Sequence, residues 1–140
     1  MSIEYTTDLT GLDYAALKAD LIADDFDNGR TLEQYRISFA NSALVVLAYA
    51  GEEGRRRCVG NVRVLSDGVC NAYIVDVWTH SAYRNQGIAR RMMELAMAQL
   101  PGQHVYLFTD SAQPFYEKLG FAPQGVGLGA VVGRWLENEP

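Results

Sequence analysis

Alternating and periodic apolar residues divide the chain into strands and helices. The pattern predicts strands over residues 3–7, 44–49, 58–65, 71–79, 105–108 and 130–135. It predicts helices over residues 12–23, 31–38, 87–100 and 114–119. After an initial strand and two helices comes an antiparallel meander, and then a strand–helix–strand–helix–strand series, which is typical of a mixed α/β fold.

Residues with special backbone or capping chemistry mark several element ends. Thr31, followed three positions later by Gln34, is typical of a helix start with a capping box. Pro101 and Gly102 end the helix over 87–100, and Gly120 suits the position just after the helix over 114–119. The strand–helix–strand unit between residues 71 and 108 is predicted to be a right-handed connection of parallel strands.

Length and composition predict one globular domain over residues 1–140. Hydrophobic residues make up 49% of the 140-residue chain, enough for a proper core. The sequence shows no repeat and no linker. The start of the chain lacks the features of a signal peptide, and no apolar run is long enough to cross a membrane. These observations predict a cytoplasmic protein without a membrane partner.

The net charge and the positions of the cysteines argue against two classes of function, nucleic-acid binding and metal binding. With 12 Lys and Arg against 17 Asp and Glu, the net charge is −5, which argues against nucleic acid as a partner. The cysteines Cys58 and Cys70, with His80 and His104, have no metal-ligand spacing, so no metal is expected. His80, which follows a predicted strand, is expected to be exposed rather than to act as a base.

The segment from Val77 to Arg91 carries the strongest chemical signal. A β-branched strand leads through a short polar loop into a helix that begins at Gly87. The first amides of a helix have no intrahelical partner and lie at the positive end of its dipole, so they suit a pyrophosphate. Gly87 lets the backbone approach phosphates, Ala89 permits close packing, and Arg84 adds positive charge.

Two other phosphate-binding motifs are excluded. The chain has no G-x-x-x-x-G-K-[ST] sequence of the nucleoside-triphosphate type. The glycine-rich run Gly125–Gly129 imitates a dinucleotide fingerprint, but no helix follows it and too little chain remains for a βαβ unit.

Two motifs resemble the GNAT superfamily of N-acetyltransferases. Residues Tyr83–Ala89 resemble its R/Q-x-x-G-x-G/A loop, with Asn85 where glycine is usual. Residues Phe115–Phe121 read Phe-Tyr-Glu-Lys-Leu-Gly-Phe and resemble its second hallmark. The resemblance implies a central, mostly antiparallel twisted sheet with a splayed parallel strand pair, flanked by helices.

A narrower resemblance concerns three further segments. Residues Val64–Gly68, Ala72–Val77 and Leu107–Ser111 are similar to the plastid-type arylalkylamine (serotonin) N-acetyltransferases and their bacterial relatives. That group also acetylates lysines, so this resemblance indicates the branch and not the substrate.

The resemblance implies an acyltransferase that moves the acetyl group of acetyl-CoA to a primary amine, either a small amine or a protein lysine. The amine would attack directly in a ternary complex, without a metal. The residues that the resemblance assigns to acetyl-CoA are Val77, Trp78, Thr79, Arg84, Asn85, Gln86, Gly87, Ile88, Ala89, Arg90, Asp110 and Ser111.

Two residues are the catalytic candidates. By resemblance Tyr116 is the general acid beside the CoA sulfur; the alternative is a packing tyrosine on a short amphipathic helix. Asp76 is predicted to anchor the substrate ammonium group or to take its proton through a water. Its alternative is a structural carboxylate, and Tyr73 on the same strand is a further candidate for the base.

Other interpretations stay open at this stage. Acidic residues between the first two helices are either a lip that favours cationic amines or ordinary caps and turns: Asp24, Asp25, Asp27 and Glu33. The chain as a whole is alternatively a catalytically idle acyl-CoA-binding module, or a protein-interaction module that forms a homodimer.

Overall fold

The computed structural model describes residues 2–52 and 54–138. The chain divides into two compact units, Met1–Leu107 and Phe108–Pro140. Within the described residues, the first unit holds a five-stranded sheet and three α-helices, and the second holds one short α-helix. That residues 1–140 form a single domain stays a prediction.

The sheet has a simple topology. Its strands are β1 (Ile3–Thr6), β2 (Leu44–Ala50), β3 (Arg57–Ser66), β4 (Asn71–Thr79) and β5 (His104–Leu107). They lie side by side in chain order, the first four antiparallel and β5 parallel to β4. The predicted meander and the predicted parallel pair are therefore confirmed.

The helices also follow the prediction closely. They are α1 (Tyr14–Ala23), α2 (Leu32–Ala40), α3 (Ile88–Ala98) and α4 (Gln113–Lys118), with a 3-10 turn at Ser81–Tyr83. The capping box at Thr31 is confirmed, because its Oγ1 accepts from the Gln34 amide at 3.1 Å and its own amide donates to Gln34 Oε1 at 2.9 Å. Helix α1 begins later than residue 12 because the Asp13 side chain caps it.

Helices α1 and α2 cover one face of the sheet. Their apolar side chains share a core cluster with three strands, comprising Leu12, Leu17, Leu21, Tyr35, Phe39, Val45, Leu47, Tyr49, Cys58 and Trp78. Helix α3 covers the other face. There a Cβ on Gly60 would lie 2.8 Å from Met92 Cε, so α3 packs closely on the sheet at this glycine.

Strand β4 contains one residue more than the part of β3 with which it pairs. Arg63 pairs with Asp76, but the next residue of β3 pairs with Ile74, so Val75 has no counterpart. Side chains alternate along a strand and paired residues share a face. The extra residue therefore reverses the alternation and places Asp76 on the opposite face from Ile74, with Arg63 on the α1–α2 side.

Strand β4 extends beyond its pairing with β5. Pairing between these strands runs from Asn71 to Ile74 on β4, whereas β4 itself continues to Thr79. All four residues of β5 are paired, so the last five residues of β4 lie beyond the end of β5. The parallel pairing of β4 with β5 is the one that the family resemblance implies.

The strand predicted over residues 130–135 is wrong. The structure has no strand there, and Val132 is 94% exposed. Gly133 adopts a left-handed backbone with φ +69°, which interrupts an extended chain. Apolar alternation alone does not make a strand, because a strand also needs a partner for its backbone groups.

Candidate active site

The turn between β4 and α3 contains two left-handed residues close together. Asn85 has φ +62° and Gly87 has φ +78°. Glycine adopts this backbone without cost, and asparagine is among the side-chain-bearing residues that tolerate it best. Asn85, the departure from the family pattern, therefore retains a backbone conformation that favours glycine.

The start of α3 presents backbone donors. Its first i→i−4 bond runs from the Arg91 amide to the Gly87 carbonyl at 3.0 Å, so the amides of Ile88, Ala89 and Arg90 have no acceptor within the helix. These amides lie at the positive end of the helix dipole. The turn can therefore bind an anionic group such as a pyrophosphate.

The end of β4 is anchored by a buried tryptophan. Trp78 is 1% exposed, and its Nε1 donates to Asp24 Oδ2 at 3.1 Å. Val77 and Thr79, on either side, are half-buried and lie beyond the stretch that pairs with β5. Main-chain groups at this edge are therefore outside that ladder and suit hydrogen bonding to an extended ligand.

Arg84 is tied back to the chain that precedes it. Its Nε donates to the Thr79 carbonyl at 3.2 Å, and its guanidinium lies 3.7 Å from Asp24 Oδ2. The side chain is 48% exposed. Arg84 therefore stabilises the turn while keeping part of its positive charge at the surface.

Asp76 pairs with two arginines. Its Oδ2 accepts from Arg63 Nε at 2.6 Å and lies 3.4 Å from an Arg30 nitrogen. Arg30 also donates to Ser38 Oγ at 2.8 Å and stacks on the Tyr35 ring at 4.1 Å. Two guanidinium groups thus face one carboxylate, and this cluster has net positive charge.

Neither arginine was identified from the sequence. Arg30 belongs to a polar break between two helices, and Arg63 is one polar residue within an apolar strand. A buried arginine usually needs a carboxylate partner, and that rule is the only sequence signal that points to them. It does not identify Asp76 as the partner.

The acidic residues that follow α1 and the one in the first turn of α2 are largely paired within the protein. Asp27 accepts from Tyr35 Oη at 2.6 Å and from Lys18 Nζ at 3.1 Å, and Glu33 pairs with Arg36. Burial, followed by the bond to Asp27, raises the pKa of Tyr35 to about 12. These contacts favour caps and turns over an acidic lip for cationic amines.

His80 is not exposed, contrary to the sequence-based expectation. Its side chain is 16% exposed and packs between the Trp78 and Tyr83 rings. Its Nδ1 accepts from the Ala82 amide at 3.0 Å, and its Nε2 lies 3.7 Å from Asp20 Oδ1. His80 therefore helps to hold the turn at the end of β4.

In the second unit, Tyr116 lies in a helix-ending motif. The Phe121 amide donates to the Tyr116 carbonyl at 3.1 Å, and the Gly120 amide donates to the Glu117 carbonyl at 3.0 Å. With Gly120 at φ +98° this is a Schellman motif, and the Tyr116 and Phe121 rings make its hydrophobic contact at 6.0 Å. Burial raises the pKa of Tyr116.

The remaining predicted residues of the second unit are at the surface. Asp110 and Ser111 are exposed and precede α4, where Thr109 Oγ1 accepts from the Ala112 amide at 3.0 Å. Their predicted contact with acetyl-CoA stays a prediction.

Within the part of the chain that the structure describes, no group of three or more His, Cys, Asp or Glu residues could hold a metal ion, and no helix is long and apolar enough to span a membrane.

Comparison with known proteins identifies the family. A profile of the acetyltransferase (GNAT) domain matches residues 41–123, which include the β4–α3 turn and the segment Phe115–Phe121. The chain belongs to the GNAT acetyltransferase family. The family resemblance inferred from the two motifs is therefore confirmed.

Relatives of this GNAT chain include a plant enzyme. Serotonin N-acetyltransferase 2, a chloroplastic protein of Oryza sativa subsp. japonica, is 33% identical over 117 residues. The match covers 81% of this chain and 58% of the rice protein. The chain spans between 44% and 58% of the lengths of the curated relatives it matches.

Solved structures of GNAT proteins share the fold. An acetyltransferase-family protein from Xanthomonas campestris, assigned to GNAT, superposes with a TM-score of 0.79 at 25% identity, covering 98% of this chain and 99% of its own. The NatC complex bound to Gag peptide and CoA gives 0.70 at 22% identity, covering 89% and 87%. The latter likeness concerns the fold alone.

The donors of the β4–α3 turn fit the anionic part of acetyl-CoA, which this family uses. Left-handed residues at 85 and 87 turn the chain into α3, and the amides at the helix start lack intrahelical acceptors. Among the described residues, nothing lies within 4 Å of a Cβ placed on Gly87, so space for a ligand is available there.

The left-handed backbone at Gly87 gives the first prediction. Gly87→Ala is expected to lower the free energy of unfolding by about 1 kcal/mol, because an L side chain is strained at φ +78° although space is available. Chemical denaturation measures the loss. Gly129→Ala is the matched control, since its Cβ is also uncrowded and its φ is outside the left-handed region. Equal losses in both variants would contradict strain at Gly87.

Proposed function

We propose that this chain transfers the acetyl group of acetyl-CoA to a primary amine, a small amine or a protein lysine. The observation that carries the proposal is the β4–α3 turn, in which left-handed Asn85 and Gly87 lead into unpaired helix amides. This turn suits the pyrophosphate of the CoA carrier. The family match supports the reaction class.

Direct attack of the amine on the thioester in a ternary complex gives a balanced reaction. The nitrogen of a neutral amine bonds to the thioester carbonyl carbon, and the carbon–sulfur bond breaks to release the CoA thiolate. The nitrogen loses a proton to solvent or to a base, and the thiolate takes one from a general acid. Holding the two reactants together supplies much of the rate, since it replaces a bimolecular encounter.

In this proposal, residues of the first unit bind acetyl-CoA. Main-chain groups of Val77, Trp78 and Thr79 hold the pantetheine arm, and an amide near Val77 polarises the thioester carbonyl as an oxyanion hole does. Amides between Asn85 and Arg90 hold the pyrophosphate. These roles use the backbone, so they are compatible with the burial of the Trp78 side chain.

The proposal requires that the protein bind acetyl-CoA, and this requirement gives the second prediction. In titration calorimetry, acetyl-CoA and CoA are expected to bind with micromolar affinity, with 3′-dephospho-CoA as the comparator that reports any contact to the 3′-phosphate. Gly87→Glu is expected to weaken binding because it brings a negative charge to the site of the phosphates. Gly129→Glu is the matched control in the second unit. Wild-type protein that binds no acetyl-CoA at millimolar concentration would overturn the proposal in favour of a partner-binding module.

Tyr116 is proposed as the general acid. Burial raises its pKa, so the hydroxyl stays protonated at neutral pH and is ready to donate to a thiolate. The proposal rests on the family resemblance of the Phe115–Phe121 segment, together with this protonation state.

The third prediction tests that role. Tyr116→Phe is expected to lower kcat about 100-fold, because the leaving thiolate loses its acid, and to change the KM for acetyl-CoA by less than about two-fold. Steady-state kinetics with an accepted amine measures both. Tyr106→Phe, which removes a hydroxyl from an exposed tyrosine of β5, is the control. An unchanged kcat would refute the role.

The pH dependence of kcat in the wild-type protein is expected to follow from the raised pKa of Tyr116. Because the pKa of Tyr116 is raised, its protonated form persists above the ordinary range of tyrosine and is lost only at higher pH. The wild type is therefore expected to lose kcat at alkaline pH. The variant Tyr116→Phe is not expected to show this fall.

For Asp76 the two arginine contacts favour the structural alternative. A carboxylate shared by Arg63 and Arg30 lies in a cluster of net positive charge, which repels a protonated amine. We propose that Asp76 mainly holds the two arginines, and its role as base or anchor stays a prediction.

Replacing Asp76 tests this proposal. Asp76→Asn is expected to lower the free energy of unfolding by about 2 kcal/mol, because two largely buried guanidinium groups lose their counter-charge. The amine KM and the pH profile of kcat are expected to stay near wild type. A raised amine KM or a shifted profile would instead support the catalytic role.

A further inference from the structure

One carboxylate oxygen at the end of α1 contacts three points of the segment that leads into the β4–α3 turn. Asp24 Oδ2 accepts from Trp78 Nε1 at 3.1 Å and from the Ser81 amide at 2.9 Å. It also lies 3.7 Å from the Arg84 guanidinium. The Asp24 side chain is only 7% exposed, so these contacts are largely shielded from water.

The backbone around Asp24 determines where this oxygen lies. Helix α1 ends in a Schellman motif, in which the Phe26 amide donates to the Leu21 carbonyl at 2.8 Å and the Asp25 amide donates to the Ile22 carbonyl at 3.2 Å. Asp25 takes the left-handed position at φ +59°, which glycine usually fills. The helix end is thus held by its own hydrogen bonds, and Asp24 is its last residue before the turn.

The three partners of Asp24 follow one another along the chain. Trp78 is near the end of β4, Ser81 begins the 3-10 turn, and Arg84 lies just before the left-handed Asn85. Arg84 also donates to the Thr79 carbonyl at 3.2 Å, and this bond links the two ends of residues 79–84. The chain is therefore restrained up to the residue that precedes the proposed phosphate-binding amides.

A second buried acid supports the same segment one helical turn earlier. Asp20 pairs with Arg57 and lies 3.7 Å from His80 Nε2. His80 in turn accepts from the Ala82 amide through Nδ1. Residues four apart share a helix face, so Asp20 and Asp24 present two carboxylates to the same part of the chain.

We propose that Asp24 is a positioning residue that holds the β4–α3 turn in the conformation that binds acyl-CoA. The inference rests on the proposed function. Amides bind an anion well only when they are already oriented toward it, so restraint of residues 78–84 raises affinity without any contact between Asp24 and the ligand.

The charge state of Asp24 agrees with this role. Burial alone would raise its pKa, but the hydrogen bonds from Ser81 and Trp78 and the charge of Arg84 outweigh burial, and the pKa is lowered. The side chain is therefore an ionised acceptor throughout the neutral range, in which acetyl-CoA binding would be measured.

The test compares two changes at Asp24 with a control at the adjacent residue. Asp24→Asn retains an acceptor oxygen but removes the charge that attracts Arg84, and Asp24→Ala removes the acceptor. Asp25→Asn removes one charge from an exposed side chain, and asparagine tolerates the left-handed backbone there. Acetyl-CoA affinity by calorimetry and amide hydrogen exchange of residues 81–90 are measured for each protein.

We expect the Kd for acetyl-CoA to rise about ten-fold in Asp24→Ala and about three-fold in Asp24→Asn, because the amides lose their fixed orientation. Asp25→Asn is expected to stay within about two-fold of wild type. Exchange of residues 81–90 is expected to accelerate in Asp24→Ala, while the amides of β2 and β3 keep their protection.

Two results would overturn the role of Asp24: a Kd that stays at the wild-type value although Asp24→Ala is less stable, or unchanged exchange of residues 81–90. Should Asp24→Ala fail to fold, Asp24→Asn decides by the same two measurements. A wild-type protein that binds no acetyl-CoA would overturn the proposed function and, with it, the binding role of Asp24. The exchange experiment would then still report whether Asp24 orders the turn.

Discussion

An extra residue in β4 is the constraint on which the region around the β4–α3 turn depends. Val75 has no counterpart on β3, so the alternation of side chains reverses within the strand. Asp76 and Trp78 consequently face α1 and α2, while Ile74 faces the other side. The same extra residue accompanies the end of pairing with β5, which leaves the last part of β4 outside that ladder. The extra residue thus orients the charged cluster, and it lies where the pairing of β4 with β5 ends.

The reversed alternation lets helix α1 support the turn that follows β4. With Trp78 on the α1–α2 side, its indole reaches Asp24, and the neighbouring turn supplies a backbone amide to the same oxygen. Burying a carboxylate costs free energy unless hydrogen bonds and opposite charges offset the loss of water. Asp24 and Asp20 both have such partners, so the end of α1 and the segment 78–84 stabilise each other.

Charge in the first unit is mostly balanced inside the protein. Acidic side chains after α1 pair with Lys18, Tyr35 and nearby backbone amides, and Asp76 pairs with two arginines. The positive end of α3 is different, because its first amides have no intrahelical acceptor. The start of α3 therefore suits an anionic ligand, and it lies within residues 41–123, which match the family profile.

The sequence by itself determined the order of helices and strands from β1 to α4, the capping box at Thr31, and the two motifs that identify the family. These features are local, since they depend on the spacing of apolar residues, on capping side chains, and on residues such as Gly87 and Asn85 that tolerate a left-handed backbone. The segment between Val77 and Arg90 could be singled out for the same reason, because backbone groups in one continuous stretch supply its proposed contacts. Its binding of acetyl-CoA stays a prediction.

Tertiary structure alone decided the partners of individual side chains. The sequence does not show that β4 holds an extra residue, so the face of Asp76 and its pairing with Arg30 and Arg63 could not be predicted. Likewise, His80 is covered by aromatic rings from its own turn and strand, and residues 130–135 form no strand although their pattern favours one. The physical reason is shared: register, burial and pairing depend on residues that are distant in the chain, whereas sequence patterns report only on near neighbours.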